Sequence, residues 1–403
     1  ALYNKSYLWL MTTGRLLYLD GLRGVLALIV FLHHFLYAFY GDIIFGGNYQ
    51  EFLSGNRFMF DKIFAFTPLN ILFNPGTAIH FFFLLSGYVQ SHHYFQKPDI
   101  VAVQKSFFKR YFRLAIPTLV VIILVFVFHQ LNWIIRDKFP FNAVTAEWSK
   151  SIMPDNLSFL KMITHGLFDC FMGNSRYYQV LWTMPTELYN SFMVLALLLF
   201  THNVKNKTKF LLFWVFVQLF FLQAYYSVAF TVGMLISYSE LNSSFFKRIF
   251  TNRFVKLTCG VVGVYFASYP FIGYQNSTKN SMYSLISFFE VYPHIISYLI
   301  GDALLFCLLI YSENTKRFLS KRVFLLFGEI SFMLYLIHLL IIFSLSPFIY
   351  TKLSAQMDYK ANLIVTGVLT FITVSGLSYL LTKWVDVPTL RFCNKYSKKL
   401  FGL

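Results

Sequence analysis

Arg23 and His34 stand eleven positions apart in a stretch, Tyr18 to Phe35, that opens on Asp20, Gly21, Arg23 and Gly24 and then runs apolar. An ionisable side chain deep in an apolar helix is costly and by default marks a functional site. Eleven helical residues rise roughly 16 Å, about three turns, and return the side chains to nearly the same face. One helix can thus hold a cation near one membrane surface and an imidazole past the midplane, both turned to one groove. An imidazole there can take a proton from a hydroxyl near neutral pH, or accept an acyl group as a nucleophile. His34 is the residue this spacing selects. His33 points about 100° around the helix. The plainer reading of His34 is a histidine hydrogen-bonded inside a bundle.

Four further stretches carry chemistry. His80 to Tyr88 places Ser86 and Gly87 in an apolar run, where small residues serve close helix packing or put a hydroxyl beside a groove. Arg110 and Arg113 lie one turn apart on one face. They serve either as membrane-edge anchors or as a clamp whose guanidinium forks hold phosphate, as a nucleotide-bearing acyl carrier such as coenzyme A would supply. Leu181 to Tyr189 carries Glu187 in the first turn of a helix, at its outer end. A carboxylate is favoured there by the helix dipole. It could also meet His34, fix its tautomer and raise its basicity. His338 follows Gly328 by ten residues, roughly 15 Å of helix, and so sits near the midplane. It either packs in the bundle or lines an acyl path.

The elements that must position these groups are membrane helices. The 403 residues are 57% hydrophobic and only 13% charged, about half the charge of a soluble domain. Mean hydropathy is +0.58. Apolar runs near 20 residues predict an all-α polytopic bundle of ten helices at about 20–40, 76–94, 114–133, 183–201, 209–223, 224–239, 254–271, 292–311, 325–350 and 361–384. Alternating short segments of a membrane barrel are missing. Residues 1–19 hold no apolar region with a small-residue cleavage site, so a cleaved leader is not expected. The four cysteines are scattered, which predicts neither a disulfide framework nor a zinc site.

The net charge of +17 gathers in alternate loops, among them Lys97 to Arg113, Lys205 to Lys209, Lys247 to Arg253 and Lys316 to Arg322. Loop 41–75 is balanced, with Arg57 and Lys62 against Asp42, Glu51 and Asp61. Positive loops face the cytoplasm, so the excess reflects topology and not nucleic-acid binding, and both termini fall in the cytoplasm. The organisation expected is a cytoplasmic segment 1–19, one transmembrane domain 20–384 and a basic tail 385–403. The longest outer connection, about 134–182, holds Trp133, Trp148, His165, Tyr177, Tyr178 and Trp182, rings that suit a sugar face or a membrane interface.

Five of these pieces, in order, resemble the acyltransferase-3 family of integral-membrane O-acyltransferases. They are Leu19-Asp-Gly-Leu-Arg-Gly with His34, Phe83-Leu-Leu-Ser-Gly-Tyr88, Arg110-Tyr-Phe-Arg113-Leu with Pro117, Leu181-Trp-Thr with Glu187, and Gly328-Glu-Ile-Ser with Tyr335-Leu-Ile-His338. The family's Ser-Gly-Phe appears as Ser86-Gly87-Tyr88, and its Trp-Ser-Leu-x-x-Glu as Trp182 to Glu187 with Pro185 inside. The resemblance implies transfer of an acyl group, usually acetyl, from cytoplasmic acyl-CoA to a hydroxyl of an extracytoplasmic glycan, glycolipid or lipid-linked sugar. No permanently bound cofactor and no metal is implied. His34, Glu187 and Arg23 are then the expected catalytic residues. Arg110, Arg113, Ser86, Tyr88 and His338 are the expected donor-binding residues. Membrane lipids are the expected surroundings, in the plasma membrane of a bacterium, with a homodimer left open. The rival class is a transporter or flippase of a lipid-linked sugar, since midplane histidines and polar helix breaks also suit transport.

Overall fold

A computed structural model describes residues 16–45, 61–136, 148–152, 154, 157–270, 281–287 and 293–402. Residues 1–15, together with Glu51 and Arg57 of the balanced loop, lie outside the described residues. Among those described, every regular element is helical. The longer helices are α1 (Leu17–Phe39), α2 (Pro75–Gln96), α3 (Ile100–Gln130), α4 (Phe159–Leu167), α5 (Thr183–Phe200), α6 (Lys207–Phe220), α7 (Tyr225–Asn242), α8 (Arg253–Ala267), α9 (Pro293–Ile310), α10 (Arg322–Ile342), α11 (Tyr359–Leu381) and α12 (Val387–Leu400).

The described part of each apolar stretch centres on one of these helices, except that the ninth, 325–350, breaks at Phe343 and Ser344 and continues in a short helix, Leu345–Leu353. Among the described residues, length and hydropathy qualify five segments to cross a membrane: Leu17–Phe39, Ile100–Gln130, Gln179–Asn203, Arg322–Ile342 and Tyr359–Leu400. A sixth is α9 with the short helix Glu313–Leu319, bent by 95°. α2 has the length, at 22 residues, but its three histidines and its serines and glutamines dilute the apolar run.

Local chemistry sets the ends. Asn74 caps α2 by accepting from the Gly76 and Thr77 amides, with Pro75 in the first turn. Asp99 caps α3 and Asp358 caps α11 in the same manner. Between α11 and α12, residues Thr382–Asp386 form a π-helical turn. Pro388 explains it: a proline has no amide to donate four residues back, and its ring pushes that carbonyl away.

Glycine governs the central packing. A Cβ on Gly24 of α1 would stand 2.6 Å from the Gly328 amide nitrogen of α10, and one on Gly328 would collide with the Asp20 carbonyl. Bare backbone therefore touches bare backbone, and α1 and α10 form one of the two closest helix pairs in the molecule. The other is α2 with α7, where Gly87 meets Phe230 and Gly233 meets Leu84 in the same way. Gly87 thus takes the packing role proposed for it beside Ser86.

One segment departs from expectation. The long connection before α5 is not simply an outer loop. Phe159 of α4 packs on Phe126 near the end of α3, with ring centroids 5.3 Å apart. Gly166 sits on Leu119 and Ile122. Tyr111, in the first half of α3, donates its hydroxyl to the Leu167 carbonyl. α4 therefore runs back along α3 and carries the chain deep beside the bundle before Tyr178 returns it to the level of Leu336 and Leu340. Residues 137–147, 153 and 155–156 of this connection lie outside the described residues.

The glycine contact predicts a specific loss. Gly328→Ala should lower stability by about 1–3 kcal/mol, the usual range for a side chain forced into a packed site. Thermal unfolding in detergent measures it, and an unchanged midpoint would show that the α1–α10 contact is not tight.

Candidate active site

Two poles of clustered polar groups hold most of the residues selected from the sequence. His34 and His338 make the first. His338 turns Nδ1 to the Tyr335 carbonyl at 2.7 Å and to the Leu334 carbonyl at 3.2 Å. Carbonyls only accept, so Nδ1 carries the proton, and in a neutral ring Nε2 is left as an acceptor. That Nε2 lies 3.0 Å from His34 Nδ1, which is also 3.0 Å from the Val30 carbonyl. Facing two acceptors, His34 Nδ1 must donate. The lone pair of His34 then resides on Nε2. These tautomers are assigned from the hydrogen-bond pattern.

Aromatic rings enclose this pair. The Trp148 indole stacks on His34 at 6.0 Å and 13° and meets Tyr37 edge-on at 4.5 Å. Its N–H donates to Gln179 Oε1 at 2.9 Å. Tyr178 donates its hydroxyl to the Leu336 carbonyl at 2.9 Å and accepts from the Leu340 amide at 3.0 Å, spanning the two ends of one helical hydrogen bond beside His338. Tyr335 donates to the Val180 carbonyl at 2.9 Å and pairs with Thr183 at 2.8 Å, which pins the start of α5 to α10. His33 is buried and occupied elsewhere, with Nδ1 3.1 Å from the Phe73 carbonyl.

The second pole joins α2, α3 and α5. Arg110 forms an ion pair with Glu187, and its Nε donates to Ser191 Oγ at 2.7 Å. Ser86 donates to the same Glu187 oxygen at 2.9 Å. Gln90 donates to the Ser86 carbonyl at 3.1 Å and to Ser191 Oγ at 3.2 Å. A guanidinium and a carboxylate this deeply placed persist only when paired and further hydrogen-bonded, and both conditions hold. Arg23, 3.6 Å from Asp20, and Arg113 add like charge within Coulombic reach of Arg110.

Three expectations change. Glu187 does not orient His34: its carboxylate is taken by Arg110 and Ser86, and His338 is the residue on the His34 ring. The reason is depth. The segment before α5 is carried down by α4, so α5 starts at the level of Tyr335 and its first turns face Arg110. Arg110 and Arg113 do not act as one fork, since Arg110 is held inside while Arg113 is exposed toward Asp386 and Cys393. Tyr88 is remote from Ser86 around α2; its hydroxyl donates to Glu240 of α7 and its ring stacks on His92 at 4.9 Å. Sequence reading missed Ser191 and Gln90. Each lies four residues after a residue it did select, Glu187 and Ser86, and shared helical faces are the signal that could have found them.

Comparison with known proteins was made on this geometry. The family model described as an acyltransferase domain, Acyl_transf_3, matches residues 16–383. The O-acetyltransferase PaAT-1 of Phomopsis amygdali is 24% identical over 220 residues, covering 48% of this chain. The chain spans 42% of that relative's length. No solved structure matches.

The ion pair at the second pole makes a double-mutant prediction. Arg110→Met and Glu187→Gln should each destabilise the protein by about 3–5 kcal/mol, because each strands a buried charge. The double variant should lose less than the sum of the two. Additive losses in chemical unfolding would mean that the two groups do not depend on each other.

Proposed function

This chain belongs to the acyltransferase-3 family, and on that premise we propose that it is a membrane O-acyltransferase with the His34–His338 pair as its reaction centre. The donor is an acyl-CoA, most simply acetyl-CoA, entering from the arginine pole. The acceptor is a hydroxyl of an extracytoplasmic glycan, glycolipid or lipid-linked sugar, entering from the side of Trp148. The observation that carries this reading is the lone pair assigned to His34 Nε2 by the hydrogen bond from His34 Nδ1 to His338.

The chemistry follows from that lone pair. His34 Nε2 takes the proton of the acceptor hydroxyl, and the oxygen attacks the thioester carbonyl carbon. The C–S bond breaks, and the leaving thiolate takes the proton back from the imidazolium, giving ester and free thiol. His338 supports the cation that forms on His34 during the step, since its Nε2 remains an acceptor for His34 Nδ1–H. In a variant of the route, His34 Nε2 itself takes the acyl group and passes it on; an acyl-imidazole trapped by acid quench distinguishes the two.

At the other pole, Arg110 is immobilised by Glu187 and Ser191, with Arg23 and Arg113 nearby. Fixed guanidinium groups suit the phosphates of the donor. Glu187 acts here as a positioning residue, through Arg110. The separation along α1 between Arg23 and His34, roughly 16 Å, is the distance a flexible thioester-bearing arm must cover. The Trp148 ring beside His34 offers an apolar face of the kind that stacks on a sugar ring.

The test uses purified chain in lipid nanodiscs with radiolabelled acetyl-CoA and a glycan acceptor pool. His34→Ala should reduce transfer by about 100-fold or more, the usual share of a general base. His338→Phe should reduce transfer as well, with donor affinity retained. Full transfer by the His34 variant would overturn the assignment. Movement of unmodified lipid-linked sugar across proteoliposomes, without transfer, would favour a flippase.

A further inference from the structure

The inner face of α11 and of the turn after it carries hydroxyls that nothing among the described residues satisfies. Ser375 Oγ, Ser378 Oγ, Thr382 Oγ1 and Asp386 Oδ1 are buried and without a hydrogen-bond partner among the described residues. Ser378 is 0% exposed, Thr382 3% and Asp386 8%, so solvent does not satisfy them either. Their spacing of three, four and four residues places them on one face and spreads them over roughly 16 Å.

Other hydroxyls of the same helix behave differently. Thr373, on an exposed face, donates back to the Leu369 carbonyl at 2.9 Å, and Thr370 pairs with Ser346 at 2.7 Å. A hydroxyl facing lipid has only its own helix to bond, and Thr373 does so. Burying a hydroxyl without a partner is costly. Three in one line, ending in a carboxylate, point to a ligand that supplies the missing partners.

The line also runs in the right place. One turn above Ser375, the Phe371 ring lies 5.7 Å from Phe31 of α1 and 5.7 Å from Phe327 of α10. Phe31 is one turn below His34. At the lower end, Asp386 feels the charge of Arg113, and the π-helical turn that presents Thr382 and Asp386 packs against both α3 and α10. π-helical turns are frequent at functional sites. The stripe thus leads from just below the imidazole pair to the arginine pole, on a different helix from those that carry the two poles.

We propose that Ser375, Ser378, Thr382 and Asp386 form the wall that hydrogen-bonds the amide-bearing pantetheine arm of the acyl-CoA donor. This rests on the donor reading given above. The arm carries two amides, each with one donor and one acceptor. The hydroxyls serve either group, and Asp386 as a carboxylate accepts an amide N–H. No covalent step is involved; these are positioning residues.

Two probes separate the arm from the phosphates: acetyl-CoA, and adenosine 3′,5′-bisphosphate, which lacks the arm. Affinities are measured by calorimetry on the full chain in nanodiscs. In the Ser378→Ala, Thr382→Val variant, acetyl-CoA should bind about 20-fold more weakly, a factor of about five for each hydrogen bond lost. Bisphosphate affinity should be unchanged. The melting temperature of the ligand-free variant should stay level or rise, because unpaired hydroxyls are replaced by apolar groups of similar shape. Unchanged acetyl-CoA affinity would overturn the proposal. Equal weakening of both probes, or a lowered melting temperature, would also overturn it by showing a structural role. Wild-type protein that binds neither probe would remove the donor reading itself, and the stripe with it.

Discussion

Everything about the His34–His338 pair depends on one contact between backbones. Gly24 and Gly328 let α1 and α10 touch without side chains between them. Ten residues beyond each glycine, on helices running in the same direction, stand His34 and His338. Equal spacing on two parallel helices keeps the imidazoles level, and the 3.0 Å bond between them follows from the register. A methyl group at either glycine would push the helices apart at the pivot. A shift of one ångström is enough to lengthen a hydrogen bond past usefulness. The glycines are therefore part of how the site is aimed.

The second constraint is electrostatic. Arg110 lies deep in an apolar bundle, and a bare guanidinium there would be far more costly than any phosphate site requires. Glu187 removes that cost, Ser86 and Ser191 each add a hydrogen bond to the pair, and Gln90 holds both serines. The ion pair also fixes the junction of α2, α3 and α5. That junction exists because α4 brings the chain down along α3 before α5 begins. A loop that stayed outside would have placed Glu187 too far from Arg110 to neutralise it.

Much of this was legible in the residues, and the illegible part has a physical reason. The described parts of the apolar stretches lie on helices, the ninth on two, because hydropathy over 15–20 residues is a local property. The Arg23–His34 spacing was readable for the same reason, since helical rise is fixed. Depth was not readable. Pattern places a segment on a helix but does not say how far into the bundle the preceding chain has travelled, so Glu187 was expected near His34. Partnership across helices was equally hidden: His338 drew notice as an isolated midplane histidine, and nothing local to it announces His34. The face of α2 misled in a simpler way. Ser86 and Tyr88 are adjacent in a motif, yet two residues on a helix are about 200° apart, and Tyr88 turned to Glu240.

The two poles have opposite electrostatic needs, which explains why they are separated and why one of them is neutralised. A base that becomes an imidazolium during reaction is opposed by any nearby cation, and in a low-dielectric bundle that opposition extends over many ångströms. Three uncompensated arginines would oppose it; pairing Arg110 with Glu187 and Arg23 with Asp20 leaves a mouth that is positive at its rim and near neutral within. Arg113 is exposed and beyond the ion pair, where solvent screens its charge from His34. On the proposed mechanism, the separation suits a donor with a long, uncharged arm. A short acyl phosphate would bring its charge to the imidazole or leave its carbonyl near the arginines. On the proposed reading, a carrier that keeps phosphate and reacting carbonyl far apart suits the two poles.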